Sequence, residues 1–127
     1  MRKIFFSFFL TICSLVSART YYVSPTGTDG LYPSRGTFAN PWKSWHYAMN
    51  HTTGGDTCYF RGGVYNTYYS SRVGVHLADP SINGTYGHYT LFAAYPEDFA
   101  AGNKPILDCR GLTSTNNYNV GIEISRV

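Results

Sequence analysis

Charge is scarce in this chain. Asp, Glu, Lys and Arg make up 13 % of its 127 residues, and beyond residue 18 no two basic residues are adjacent. A nucleic-acid partner therefore has no electrostatic basis. There is no cysteine spacing for zinc, no nucleophile elbow and no glycine-rich phosphate loop, which removes three common routes to catalysis. The one long apolar run, Ile4 to Val16, falls short of the roughly 20 residues needed to span a bilayer. After residue 51 no helical periodicity is visible.

What is present begins with that apolar run. Residues 1–18 have a basic start (Arg2, Lys3), the apolar stretch, and Val16-Ser17-Ala18 before Arg19. This is the pattern of a secretory signal peptide cleaved after Ala18. Cys13 follows bulky Ile12, which argues against a lipid-anchored form. Removal of Arg2 and Lys3 leaves eight basic against seven acidic groups, so residues 19–127 are close to neutral. The expected location is secreted, whether extracellular, periplasmic or at the cell surface, with no membrane attachment after cleavage. Cys58 and Cys109 remain. In an oxidising compartment they are a disulfide candidate; the alternative is two buried thiols packed as small hydrophobes.

Residues 40–51, NPWKSWHYAMNH, predict a short helix. Asn40 suits the N-cap and Pro41 the first helical position. Trp42, Trp45, Ala48 and Met49 fall on one apolar stripe. A helix this short needs something to cover. Strand-like runs follow at Thr57–Arg61, Val73–Leu77, Tyr89–Ala94, Pro105–Cys109 and Val120–Ile124, centred about every 16 residues and separated by turn signals such as Asp79-Pro80 and Asn83-Gly84. None of the connections is a two-residue hairpin turn. The pattern predicts an all-β solenoid, with the helix as a lid over the open end of its first coil.

Three stretches carry a family resemblance: Tyr21-Tyr22-Val23-Ser24-Pro25-Thr26-Gly27-Thr28-Asp29-Gly30, Asn40-Pro41-Trp42, and Gly55-Asp56-Thr57-Cys58-Tyr59-Phe60-Arg61-Gly62-Gly63-Val64-Tyr65. Together they resemble the start of secreted right-handed parallel β-helix proteins, in particular the pectate-lyase-like polysaccharide lyases of family nine. Tyr89 to Pro96 and Lys104 to Asp108 resemble that family's next signature. The resemblance implies a right-handed parallel β-helix whose N-terminal coils occupy residues 19–127. The chain then reads as a fragment of a longer protein, since such proteins run to several hundred residues. It also implies β-elimination on polyuronides such as pectate: a Lys or Arg base removes the proton beside a carboxylate neutralised by Ca²⁺. The resemblance places base and calcium site on central coils outside this chain, so no catalytic, cofactor-binding or metal residue is expected within it.

The residues at hand agree with that expectation. Lys43 and Lys104 are the only lysines after the signal. Glu97-Asp98 is the sole adjacent acidic pair and reads as turn charges, while Asp56 and Asp108 stand at strand boundaries where carboxylates bond turn amides. His46, His51, His76 and His88 show no metal-ligand spacing. Among the 12 tyrosines, Tyr68 and Tyr69 are candidates for stacking on sugar faces. Asn50 and Asn83 head N-glycosylation sequons, meaningful in a eukaryotic source. Two function classes follow. One is an extracellular polysaccharide lyase, requiring Ca²⁺ when full length. The other is a non-enzymatic β-helix surface or carbohydrate-binding protein. In either case a monomer is expected, with a polysaccharide as its partner.

Overall fold

The computed structural model describes residues 17–77, 84–113 and 119–124. The expected export signal up to Val16 and the sequon asparagine Asn83 lie outside them. The elements run β1 (Thr20–Val23), α1 (Trp45–His51), β2 (Thr57–Phe60), β3 (Gly63–Tyr65), β4 (Val73–Leu77), β5 (Leu91–Ala94), α2 (Pro96–Ala100), β6 (Pro105–Leu107), a 3₁₀ turn at Cys109–Gly111, and β7 (Val120–Ile124).

Every strand pairing between these elements is parallel. β1, β2 and β5 form one sheet, with Thr20 opposite Thr57 and Thr57 opposite Leu91. β3 pairs with β6, setting Gly63 against Pro105, and β4 pairs with β7, setting Val73 against Val120. The succession β2, β3, β4 thus recurs as β5, β6, β7, each strand beside its counterpart. The described sheets have three, two and two strands, and none closes on itself. Among the described residues no helix is long and apolar enough to cross a membrane.

Alternation places the core. Tyr21 and Val23 of β1, and Cys58 and Phe60 of β2, point inward and are buried; they meet Trp42, Ala48 and Tyr65 in one cluster. The Tyr65 hydroxyl donates to the Arg61 carbonyl at 2.7 Å, with the Val23 carbonyl at 3.0 Å. Burial holds this phenol well above its ordinary pKa, and the bond satisfies a hydroxyl that would otherwise be costly to bury.

The helix starts later than the sequence suggests. Its N-cap is Ser44, whose Oγ accepts from the Tyr47 amide at 3.1 Å; Asn40, Pro41 and Trp42 are not helical. The backbone of Trp42 is claimed by β1 instead. Its N–H donates to the Tyr22 carbonyl (2.9 Å), and its carbonyl accepts from Ser24 (2.8 Å), forming a parallel bridge with Val23. The indole is 2 % exposed and donates to the Gly30 carbonyl at 2.8 Å. Two glycines admit it: a Cβ on Gly36, where φ is +81°, would stand 2.7 Å from the ring, and one on Gly27 would stand 2.2 Å from the Trp42 carbonyl oxygen. Asp29 then fixes the helix start, accepting from the amides of Lys43 (2.8 Å) and Ser44 (3.0 Å) and from the Ser44 hydroxyl (2.7 Å). These bonds hold residues 42–44 out of the helix that their apolar spacing suggests. α1 still lies on the core, through buried Ala48 and through Trp45, whose ring is 4.5 Å from Phe60 and 5.6 Å from Tyr65.

Other boundaries shift as well. The predicted strand at Tyr89–Ala94 begins only at Leu91, and the one at Pro105–Cys109 ends at Leu107. There Asp108 caps the 3₁₀ turn by accepting from the Arg110 amide at 3.0 Å. Gly63–Tyr65 is a strand in its own right, so the even spacing of five predicted strands does not carry over to the pairing. Pro96–Ala100 is a second helix where turn charges were expected. Five residues are too few to show periodicity, but Pro96 at its start with Glu97 and Asp98 in its first turn are N-terminal helix signals.

Candidate functional site

The residues that alternate outward from the three-stranded sheet build an aromatic surface. Tyr22 and Tyr59 are register partners on β1 and β2, and their rings lie 6.0 Å apart. The next position in that row is Ala93 on β5, so the row steps down from two phenol rings to a methyl. Tyr95, just beyond β5, sets its ring 5.8 Å from Tyr22 and 6.0 Å from Tyr59. Phe38, 49 % exposed, closes the group at 5.2 Å from Tyr22 and 5.8 Å from Tyr95. Edge-on and tilted contacts of this kind are the favoured aromatic geometry.

Arg61 supplies the charge. Its guanidinium lies 5.0 Å from the Phe38 ring centre and 5.7 Å from that of Tyr95. Its Nε is 3.2 Å from Asp98 Oδ2, which also accepts from the Gly62 amide at 2.9 Å. Those two bonds, the Gly62 amide first, hold the Asp98 carboxyl below its ordinary pKa. Among the described residues the terminal nitrogens of Arg61 make no hydrogen bond. Desolvation, followed by the Glu97 carboxylate, raises the Tyr95 phenol, which therefore stays protonated in neutral and mildly alkaline solution. Chemically the patch offers ring faces and edges, phenol hydroxyls and a guanidinium fork. It offers no nucleophile with an adjacent base.

The candidates named from sequence lie elsewhere. Tyr68 spends its hydroxyl on structure: it donates to the Asp108 carbonyl and accepts from the Gly111 amide at 3.2 Å. Tyr69 is 51 % exposed, with its ring 4.6 Å from His46 and 5.0 Å from His76. Neither joins the Tyr22–Tyr59–Tyr95–Phe38 group. Asn50 links α1 to β4, its Nδ2 donating to the carbonyls of His46 (2.9 Å) and His76 (2.7 Å). A glycan at Asn50 would replace one of the two hydrogens in that link. Cys58 and Cys109 are free thiols. Cys58 faces the core from β2, while Cys109 opens the 3₁₀ turn after β6, a strand of a different sheet.

The titratable candidates are dispersed in the same way. His46 sits against the His76 carbonyl (3.1 Å), and burial lowers its pKa; His51 stacks on Tyr47 at 3.7 Å. Asp56 accepts from Arg19 and Thr53, and Asp108 from Arg110. Lys104 lies 5.5 Å from the centre of the Phe99 ring. Among the described residues no three His, Cys, Asp or Glu side chains gather as a metal site.

Sequence reasoning missed Tyr22, Tyr59, Tyr95, Phe38 and Arg61 as a group. The outward positions of TYYV and TCYF were legible from alternation once the two segments are laid in parallel. Phe38 reaches the patch from a loop, and no local signal marks it. No family model, curated protein or solved structure matches the chain.

Proposed function

We propose that this chain belongs to an extracellular carbohydrate-active protein built as a parallel β-helix, and that its described residues bind polyuronides such as pectate. The observation that carries the reading is the outward aromatic group beside Arg61. Tyrosine rings pack against the C–H faces of sugars, and a guanidinium fork matches a uronate carboxylate in two parallel hydrogen bonds. The recurrence of β2–β3–β4 as β5–β6–β7 supports the architecture, and the sequence resemblance supports the substrate class.

The described residues lay out the polysaccharide and do not cleave it. β-Elimination needs a Lys or Arg base placed beside a neutralised carboxylate, and among the described residues no cluster of acidic side chains that could hold the neutralising Ca²⁺ stands beside any lysine or arginine. A lyase activity of the whole protein rests on residues other than those described; a purely binding β-helix protein is the alternative. Calorimetric titration of residues 19–127 with oligogalacturonate tests the reading, with absorbance of unsaturated product followed in parallel at alkaline pH with Ca²⁺. The expected result is binding without turnover, weakened about fivefold by Tyr59→Ala and further by Arg61→Ala. Binding that neither substitution changes would move the site away from this surface. Robust turnover would overturn the non-catalytic assignment.

A further inference from the structure

The backbone of Arg19 is held at both of its polar groups. Its N–H donates to Asp56 Oδ1 at 2.8 Å, and its carbonyl accepts from Thr57 at 2.8 Å. Asp56 is 4 % exposed. Its other oxygen accepts from the amide (3.1 Å) and hydroxyl (2.8 Å) of Thr53. Among the described residues no side-chain cation pairs with this carboxylate. A buried charge whose hydrogen-bond donors are all neutral is in a costly position, and the Arg19 guanidinium acts on it only through a coulombic interaction, without an ion-pair contact. One of those donors is the nitrogen of the residue that follows the predicted export signal.

We propose that removal of the export signal completes this site: the α-ammonium of Arg19 becomes the ion-pair partner of Asp56. A signal peptidase would hydrolyse the Ala18–Arg19 peptide bond. Water adds across it, a carboxylate departs on Ala18, and Arg19 keeps the amine, which takes up a proton at neutral pH. A backbone N–H···O⁻ bond at 2.8 Å, charged on the acceptor side alone, is thereby replaced by an ammonium–carboxylate contact charged on both sides. Ala18 also forms one wall of a cleft of about 280 Å³ whose other sides are Gly54, Gly55, Thr85 and His88. Its departure opens that cleft toward the new terminus. Processing places a positive charge on a contact that the precursor makes only through a neutral N–H, so export and final stabilisation are coupled.

The proposal rests on the export-signal reading and is independent of the polyuronide surface. Other titratable groups near this corner are His88 across the cleft and the Tyr21 and Tyr32 phenols beside the Arg19 guanidinium. Pairing raises the α-amino pKa above its unfolded value of about 7.7–8.0. The added stability is therefore complete below that value and is lost as pH rises through the folded-state pKa.

The test compares three forms of the otherwise intact chain: one released from a removable fusion to begin at Arg19, one beginning at Ala18, and the first with its terminus acetylated. At pH 6.5 the Arg19 form should melt about 5 °C above the other two, and the gap should close toward pH 10. Asp56→Asn should erase the gap between the forms. Should that variant fail to fold, the acetylated and extended forms, which leave the core untouched, still decide. Equal melting of all three wild-type forms would overturn the ion pair. Separately, N-terminal sequencing of the exported protein should give Arg-Thr-Tyr-Tyr; any other start would overturn the processing step while leaving the fusion-derived comparison meaningful.

Discussion

The strands β2–β4 and β5–β7 have matching partners and opposite exposure. Cys58, Phe60, Tyr65, Val73, Val75 and Leu77 on the first set are all buried. Their register partners Phe92, Ala94, Leu107 and Val120 are only half-buried, and Ile122, opposite Val75, is 43 % exposed. The difference does not lie in residue type, since both sets are apolar. It lies in neighbours. The first set has β5–β7 on one side and β1, Trp42 and α1 on the other, whereas among the described residues the second set has a paired strand on one side only. Parallel pairing satisfies the backbone; burial of side chains requires cover on both flanks.

The thiols should separate the two regions most sharply. Burial pushes the Cys58 thiol up to about 12, so at pH 8 only roughly 1 in 10,000 molecules carries the reactive thiolate. Cys109 is partly exposed. Alkylation of the native, unreduced chain at pH 8 should label Cys109 and spare Cys58, followed by mass spectrometry of the peptides. Equal labelling would mean that the inner region opens readily. A Cys58–Cys109 linked peptide would mean that the two positions approach more closely than the structure places them.

Truncating a ring on each side of the comparison should give the next largest effect. Trp42→Ala removes a fully buried indole together with its bond to Gly30, and should cost about 3–5 kcal/mol. Phe92→Ala, on the half-covered strand β5, should cost about half as much because less area leaves water. Urea midpoints measure both. Equal losses would show that the second set is covered as completely as the first.

Asp29 tests what joins the Trp42 segment to α1. Asp29→Ala removes three bonds to one carboxylate and should cost about 2 kcal/mol, within the range for hydrogen bonds to charged groups. Amide exchange at Lys43, Ser44 and Tyr47 should rise while exchange in β2 stays slow. A uniform rise across the chain would show that the clamp and the core unfold as one unit.

How much of this was legible before the structure depends on how local each signal is. Val73–Leu77 and Val120–Ile124 announce themselves by composition and were placed with their observed bounds. The segment at residues 40–51 was half legible. Trp45, Ala48 and Met49 do lie on α1 and pack on the core, but Trp42 was assigned to the helix because the apolar spacing fits. What removes it is a contact with β1 some 20 residues earlier, which helical periodicity cannot register. Strand β3 was hidden by its length and its glycine. The aromatic group was hidden for a different reason: Tyr22, Phe38, Tyr59 and Tyr95 come from four separate segments, and only the parallel register brings them together. Tyr68 and Tyr69 drew attention as adjacent residues, and adjacency in a chain is a poor guide to a shared surface.

The smallest expected effect concerns the tie between the two sets. Asp98, on α2 beyond β5, accepts from the Gly62 amide between β2 and β3 and from the Arg61 guanidinium. Both bonds favour the ionised carboxylate and hold its pKa below the ordinary range. A carboxyl depressed in the folded state contributes stability that is fully present above its unfolded pKa, about 3.9, and is lost as pH falls through the folded value. Arg61 is partly exposed and solvent screens it, so the contribution is about 1 kcal/mol or less. Asp98→Asn should therefore lower the urea midpoint slightly at pH 5–7, and the gap from the unmodified chain should shrink once the pH falls below about 3.9. The same substitution should leave Cys58 protected from alkylation, because it loosens the tie without uncovering β2. A gap that stays constant down to pH 2 would mean that the charge on Asp98 does not link the two regions, and that the Gly62 hydrogen bond alone accounts for whatever the residue contributes.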